Sequence, residues 1–250
     1  MQNKLNIKET DRIFSITTFS FDISVLEMFL PLVSGACTIL IEKEAVIDGK
    51  EIQKKINNYH PTFIQGTPAF WKMLVASGWN GMHELNILCG GEELKKDLSD
   101  QLISRCKNLW NMYGPTETTI WSLMDKIGNN IDKITIGRPI NNTYTYILDD
   151  SLNIVPIGVA GDLYIGGSGV SNGYYNDEIQ TKERFILDPY SKNEEEILFA
   201  TGDRAKYLSN GKVVFLGRKD NQLKIRGFRI EPGEVEELIN EYNDVDSSVV

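Results

Sequence analysis

The chain has 250 residues, 41% of them hydrophobic and 24% charged, with a formal net charge of −9 at pH 7. That length accommodates one large domain or two unequal ones with ample core. The acidic balance excludes nucleic acid and anionic membrane as main partners, since both need a basic surface, yet backbone amides and a few cations can still hold phosphates. In chain order, residues 13–17, 38–41, 62–65, 86–89 and 109–113 read as strands. Residues 24–33, 50–58, 68–76 and 92–106 read as helices between them. Ser24 with Glu27 has capping-box spacing, and Thr67-Pro68 reads as an N-cap followed by proline at the first helical position. Leu94, Leu98, Leu102 and Cys106 recur every four residues, which predicts one buried stripe. Strands alternating with helices predict a mostly parallel sheet covered on both faces.

From about Ile134 the pattern changes to short β-type runs separated by glycine, at 143–148, 162–165 and 213–216. Ser209-Asn210-Gly211 supplies a tight hairpin turn between 205–208 and 212–216, and 231–242 reads as a helix opened by Pro232. The expected fold class is therefore α/β over residues 1–130, followed by a small β-rich, barrel-like subdomain over 131–219. Cys37, Cys89 and Cys106 form neither a metal-type spacing nor an even disulfide set, so a reduced, cytoplasmic setting is expected. Cys89 reads as a packed strand residue. The longest apolar run, around 25–33, is interrupted by Glu27 and too short to span a bilayer, and no apolar signal region opens the chain.

In open parallel α/β sheets, ligands bind outside the carboxyl ends of the strands. Those ends here are Phe21-Asp22, Gln65-Gly66, Cys89-Gly90-Gly91-Glu92 and Met112-Tyr113-Gly114-Pro115-Thr116-Glu117. Small residues, acids, an aromatic ring and a hydroxyl meet on one edge, which marks a candidate cleft for a small ligand. Taken singly, a Gly-Pro turn beside an acid, a Gly-Asp turn at Gly202-Asp203 and a charged connector near Arg218 are also ordinary structural features.

Taken together they carry a resemblance. Tyr113-Gly114-Pro115-Thr116-Glu117-Thr118-Thr119 resembles the signature of the adenylate-forming enzymes. Thr201-Gly202-Asp203, the stretch 217–227 and the glycine-spaced stretch 161–174 resemble further runs of that superfamily, in the same order. Phe21-Asp22-Ile23-Ser24 is similar to the amino-acid adenylation domains of nonribosomal peptide synthetases. The resemblance implies that an amino-acid carboxylate attacks the α-phosphorus of Mg2+-ATP, releasing pyrophosphate and leaving an aminoacyl-AMP. A phosphopantetheine thiol on a peptidyl carrier domain would then take the aminoacyl group, with condensation domains as further partners. It further implies that Tyr113 lies against adenine with Gly91 and Phe215 nearby, and that Asp203 holds the ribose hydroxyls while Arg218 approaches the nucleotide. Thr116 and Glu117 would be the catalytic residues, one contacting phosphate and the other holding Mg2+. The chemistry is apt, because an aromatic face suits a purine and a carboxylate suits a hard cation. Asp220 would be the hinge of a small α+β C-terminal lobe beginning in 220–250, and Lys224 would serve the later thioester-forming state. The glycine-rich stretch 161–174 is assigned a structural role.

Asp22 would pair with the substrate's α-ammonium group; alternatively it is a helix-entry residue near the positive dipole end. The remaining pocket positions by resemblance are Ile23, Leu26, Gln65, Leu88, Gly90, Met112, Ile120 and Trp121. Bulky Met112 and Trp121 leave little room for a side chain, so glycine is the expected amino acid; the plain alternative is that Trp121 and Leu26 are core. An acyl- or aryl-acid ligase and a non-catalytic adenylate-binding remnant are the competing readings. The superfamily's phosphate loop and catalytic lysine have no counterpart between Met1 and Val250, so the chain is expected to cover the middle of a full domain and to be a poor catalyst alone.

Overall fold

The computed structural model describes residues 1–129, 131–220, 222–225, 228–242, 245 and 247–249, with backbone alone for 223–225, 228, 229 and 237. The first sheet contains β1 (Arg12–Ser15), β2 (Cys37–Leu40), β3 (Phe63–Gly66), β4 (Asn86–Gly90), β5 (Asn108–Tyr113), β6 (Leu123–Ile127) and β7 (Arg138–Pro139). Their order is β2-β1-β3-β4-β5-β6-β7; β1 to β5 run parallel, and β6 and β7 are antiparallel additions. Between them lie α1 (Gln2–Leu5), α2 (Ser24–Ser34), α3 (Lys43–Val46), α4 (Gly49–Tyr59), α5 (Pro68–Ala76) and α6 (Lys96–Ile103). Every residue of β3 and β4 is buried, as central parallel strands covered on both faces must be.

The period of two along each strand divides the core. Phe14, Ile64, Ile87 and Leu109 face α4, α5 and α6, where Ile52, Trp71 and Leu98 meet them. Ile13, Phe63, Leu88 and Met112 face the other way, against Leu26 and Leu30 of α2 and against Trp121. Thr67 caps α5 by accepting the Phe70 amide at 3.3 Å, ahead of Pro68. The expected Ser24 cap is not formed. Ile23 occupies the N-cap of α2, the Ser24 hydroxyl is buried, and Glu27 turns inward to other donors. The helix expected over 92–106 is also shorter, because residues 92–95 form a connecting segment before α6; the stripe Leu94, Leu98, Leu102 and Cys106 is nonetheless buried in one cluster.

The second sheet is antiparallel: β8 (Thr143–Leu148), β9 (Gly161–Gly167), β10 (Phe185–Leu187), β11 (Ile197–Tyr207) and β12 (Val213–Arg218), with α7 (Glu178–Arg184) leading into β10. The Asn210-Gly211 turn closes the β11–β12 hairpin, with Gly211 at φ +75° and its amide bonded to Leu208 O at 2.9 Å. β11 breaks register with both neighbours around 200–205, so Thr201-Gly202-Asp203 is unpaired with β9 while Asp203 still pairs with Arg218 of β12. β13 (Leu223–Ile225), β14 (Phe228–Ile230) and α8 (Pro232–Asn240) follow. The two large sheets join through a Gly137–Val213 bridge and a shared core of Leu123, Ile136, Ile147, Leu163, Ala205 and Val213. Among the described residues, no helix is long and apolar enough to cross a membrane.

Candidate active site

The carboxyl ends of β3, β4 and β5 and the entry to α2 surround one recess. Gln65, at the end of β3, is 1% exposed. Its Nε2 donates to Ile23 O at 2.8 Å and to Glu27 Oε1 at 3.0 Å, and its Oε1 accepts the Trp121 indole N–H at 2.9 Å. The Trp121 ring lies over Gly90, the last residue of β4, where an added Cβ would fall 2.5 Å from Cη2 and 2.6 Å from Met112 O. Only glycine fits there. Leu26, Leu88 and Met112 are buried in the cluster around Trp121, with Ile120 half-buried beside it.

The loop that delivers Trp121 is unusual. After a 3-10 turn at Thr116–Thr118, both Thr119 and Ile120 take positive φ (62° and 73°), a region β-branched residues rarely adopt. Thr119 Oγ1 donates to Gly169 O at 2.6 Å, and the Thr118 and Ser122 hydroxyls share a hydrogen bond at 2.6 Å. Asp22 is half-buried at the lip and accepts Thr116 Oγ1 at 2.6 Å. The recess lined by Asp22, Ile23, Gly91, Thr116 and Trp121 has a volume of only about 60 Å3.

Beside it opens a cavity of about 700 Å3, whose lining includes Gly91, Tyr113, Asp203, Phe215, Arg218 and Asp220. The two share Gly91, Tyr113, Gly114, Asp203, Arg218 and Gln222. Tyr113 and Phe215 stand with ring centroids 6.4 Å apart. The Tyr113 hydroxyl donates to the buried Asp203 carboxylate; burial first, then the Asp203 charge, push that phenol well above its ordinary pKa. Arg218 Nη1 reaches Asp203 at 3.0 Å, and its Nε and Nη2 fork onto Asp220 at 2.6 and 2.7 Å. Arg184 Nη2 adds a bond to Asp220 at 3.3 Å. Burial favours the neutral Asp220 acid, but the hydrogen bonds and charge of Arg218, helped by the Gln222 amide and Arg184, hold its pKa at about 2. Gly202, at φ +77°, permits this knot, because a Cβ there would lie 2.8 Å from Arg218 Nη2 and 2.9 Å from Asp220 Oδ2.

Glu117 is 6% exposed and accepts the Tyr174 hydroxyl at 2.6 Å. Among the described residues, no cluster of three or more His, Cys, Asp or Glu gathers as a metal site. Cys89 is fully buried, and burial pushes its thiol pKa up, so it is packed as a strand residue and unsuited to nucleophilic work.

Of the predicted amino-acid pocket, Asp22, Ile23 and Trp121 line the small recess, while Leu26, Leu88, Met112 and half-buried Ile120 pack with Trp121 in one core cluster, Gln65 bonds its indole and Gly90 lies under its ring. Gly91, Tyr113, Asp203, Phe215, Arg218 and Asp220 meet at the large one. Thr116 lies by Asp22 and Glu117 by Tyr174. The Lys224 side chain lies outside the described residues. Glu27, Arg184, Tyr174 and Gln222 were missed by sequence reasoning. Tyr174 closes the glycine-rich stretch that was read as purely structural, and its distance of 57 positions from Glu117 left no local signal.

Three comparisons bear on this geometry. The AMP-binding enzyme family matches residues 1–175. A dimodular nonribosomal peptide synthase of Bacillus subtilis (strain 168) is 39% identical over 251 residues, covering 100% of this chain and 10% of that protein. The crystal structure of a four-domain nonribosomal peptide synthetase bound to AMP and glycine is 38% identical with a TM-score of 0.84, covering 100% of this chain and 19% of that one. Holo-PA1221, a synthetase protein containing adenylation and PCP domains bound to a vinylsulfonamide inhibitor, is 27% identical with a TM-score of 0.86, covering 93% and 41% respectively. The chain thus spans about a tenth of the length of that Bacillus relative. It belongs to the AMP-binding enzyme family, in the branch of nonribosomal peptide synthetase adenylation domains.

Proposed function

We propose that this chain forms the amino-acid and nucleotide pocket of an adenylation site that activates glycine with ATP for transfer to a phosphopantetheine thiol. The observation that carries the substrate assignment is the closure of the small recess by Trp121. The ring fills the space above Gly90 and is pinned by Gln65, and the recess it borders with Asp22, Thr201 and Asp203 holds only about 60 Å3. A packed pocket of this kind resists added methylenes, each worth about 1–3 kcal/mol of discrimination. Asp22 offers a carboxylate to the ammonium group of the substrate, and Thr116 exchanges its bond with Asp22 for one to the reacting carboxylate or phosphate.

In this reading the large cavity takes AMP. Tyr113 and Phe215 present aromatic faces to the base, and Asp203 accepts from the ribose hydroxyls. The amino-acid carboxylate oxygen attacks the α-phosphorus, the bond to the β-phosphate oxygen breaks, and pyrophosphate leaves. The residues position the reactants and stabilise charge, and no covalent enzyme intermediate forms. Glu117 offers a single carboxylate, which fits Mg2+, an ion bound through one or two carboxylates with water and phosphate oxygens completing its shell. When bound, that ion would neutralise phosphate charge. The peptidyl carrier and condensation domains of synthetases are the proposed partners.

Calorimetry with nonhydrolysable aminoacyl-sulfamoyl-adenosines tests the assignment on the chain itself. The glycyl compound binds tightest, and the alanyl compound binds roughly 10- to 200-fold more weakly. Equal or tighter binding of the phenylalanyl compound overturns the glycine assignment. Equal binding of an acetyl analogue, which lacks the ammonium group, overturns the amino-acid reading as a whole.

A further inference from the structure

We propose that Glu27, which has no part in the reaction as drawn above, is a positioning residue that sets the size of the amino-acid pocket through Gln65 and Trp121; the inference rests on that reading of the pocket. An indole N–H only donates, so Trp121 requires the oxygen end of the Gln65 amide. The opposite end must then be the NH2 group, and two acceptors wait for it: Ile23 O at 2.8 Å and Glu27 Oε1 at 3.0 Å. Three partners thus fix one amide in one orientation.

Glu27 is itself over-determined. It is 0% exposed, and Oε2 accepts the amides of Ile16 and Thr17 at 2.9 and 3.0 Å. Oε1 accepts Thr17 Oγ1 at 2.6 Å as well as Gln65. One carboxylate therefore ties together the strand exit of β1, helix α2, the end of β3 and, through Gln65, the Trp121 ring. An isolated carboxylate in this interior is costly, and an apolar side chain would fill the volume without that cost. Burial indeed drives the Glu27 pKa up against the pull of its hydrogen bonds. What the carboxylate adds over an apolar filler is direction: an acceptor that dictates which way Gln65 faces.

Glu27→Gln is the test. With its oxygen kept on the Ile16 and Thr17 amides, the new NH2 group opposes the NH2 of Gln65. Gln65 turns over, and two donors then face each other at Trp121. Two readouts follow. The Trp121 indole N–H resonance, assigned by comparison with Trp121→Phe, shifts and exchanges with solvent about tenfold faster. The glycyl-over-alanyl preference for sulfamoyl-adenosines falls roughly fivefold, the scale of one buried hydrogen bond. In a Trp121→Phe background, which has no indole donor, Glu27→Gln leaves that preference unchanged within twofold. Thr17→Val, which removes the hydroxyl donor that shares Glu27 Oε1 with Gln65, gives the same changes in smaller measure and serves if Glu27→Gln does not fold. An unchanged indole resonance in both variants overturns the proposal, as does an equal loss of preference with and without the indole donor. If the wild-type chain itself shows no glycyl preference, the pocket reading fails, and the indole resonance still decides whether Glu27 positions Trp121.

Discussion

Gly90→Ala isolates the contact on which the pocket depends. The added Cβ would meet Trp121 Cη2 at 2.5 Å, Met112 O at 2.6 Å and Trp121 Cζ3 at 2.8 Å, all inside van der Waals contact. The Met112 carbonyl belongs to β5, which is laddered to β4 on one side and β6 on the other, so it has little freedom to retreat. The indole must move instead. Moving it strains an overpacked core, at about 1–3 kcal/mol. It also breaks the 2.9 Å bond to Gln65 and strands a buried oxygen, at about 1–3 kcal/mol more. The expected destabilisation is about 2–6 kcal/mol. In urea unfolding this lowers the midpoint by about 1 M at unchanged slope, taking a slope of about 3 kcal/mol per M. The cycle with Trp121→Leu isolates the indole's share: with the ring gone the Met112 O contact remains, so Gly90→Ala still destabilises, but by about 1–3 kcal/mol less than in the wild type, a coupling typical of residues in contact. A Gly90→Ala variant within about 0.5 kcal/mol of wild type, a change that surface sites tolerate, refutes the reasoning. So does an equal cost in both backgrounds.

Trp121→Leu by itself opens the recess, and the alanyl-to-glycyl affinity ratio for sulfamoyl-adenosines rises about tenfold by calorimetry. Asp220 carries a pH signature. Its folded pKa of about 2 lies below the ordinary 3.8, so its stabilisation is complete above that ordinary value and is lost as pH falls through the folded one. With its side chain 32% exposed, solvent screening cuts the contribution to about 1 kcal/mol. Asp220→Asn is accordingly less stable than wild type at pH 6 and nearly equal to it at pH 2; the same deficit at both pH values counts against the Arg218–Asp220 clamp. A thiol-reactive disulfide reagent titrates one cysteine in the native chain, the exposed Cys37, and all three after unfolding. Cys89 and Cys106 are shielded because burial removes access and raises their pKa, Cys106 to about 11; rapid native labelling of two or more sites contradicts the packing.

Much of the site was legible in the sequence because it lies at strand ends, where the topology dictates what converges. Tyr113, Gly90 and Gln65 follow runs of strand-forming residues, and once those strands are parallel their carboxyl ends must share one edge. The Thr67 cap and the stripe from Leu94 to Cys106 were legible for the same reason: each is a local rule with a fixed spacing. The Ser24 capping box satisfied its local rule and still failed. Glu27 had stronger offers from Thr17, Ile16 and Gln65, none of them visible in a four-residue window. The strand Leu123–Ile127 was missed because Asp125 and Lys126 break its apolar pattern. Asp125 is tolerated in the interior only because Lys212, 87 positions later, lies at 3.0 Å and Thr135 donates to it. Arg184 belongs to the same class: its partner Asp220 is 36 positions away.

The two recesses differ in how they are built, and that difference orders their vulnerability. The small one takes its Asp22 and Trp121 wall from the first sheet and its α2 entry, with Trp121 locked to Gln65 across 56 positions of one layer, and its opposite wall, Phe199, Thr201, Asp203 and Arg218, from the second sheet. The large one needs both sheets, since Tyr113 comes from β5 while Asp203, Phe215 and Arg218 come from β11 and β12. Its geometry thus depends on the junction through Leu123, Ile136 and Val213 and on the Gly137–Val213 bridge. Gly137 is irreplaceable there, at φ +80° and with a Cβ position 1.9 Å from Met124 O. Strain at that junction moves Asp203 and Arg218 relative to Tyr113 before it reaches Gln65 or Gly90. Loosening the sheets thereby costs the chain its large cavity and the Asp203 wall of the small recess first and the Gln65–Trp121–Gly90 packing last, and the hydrogen bond from Tyr113 to Asp203 is the link that registers the change.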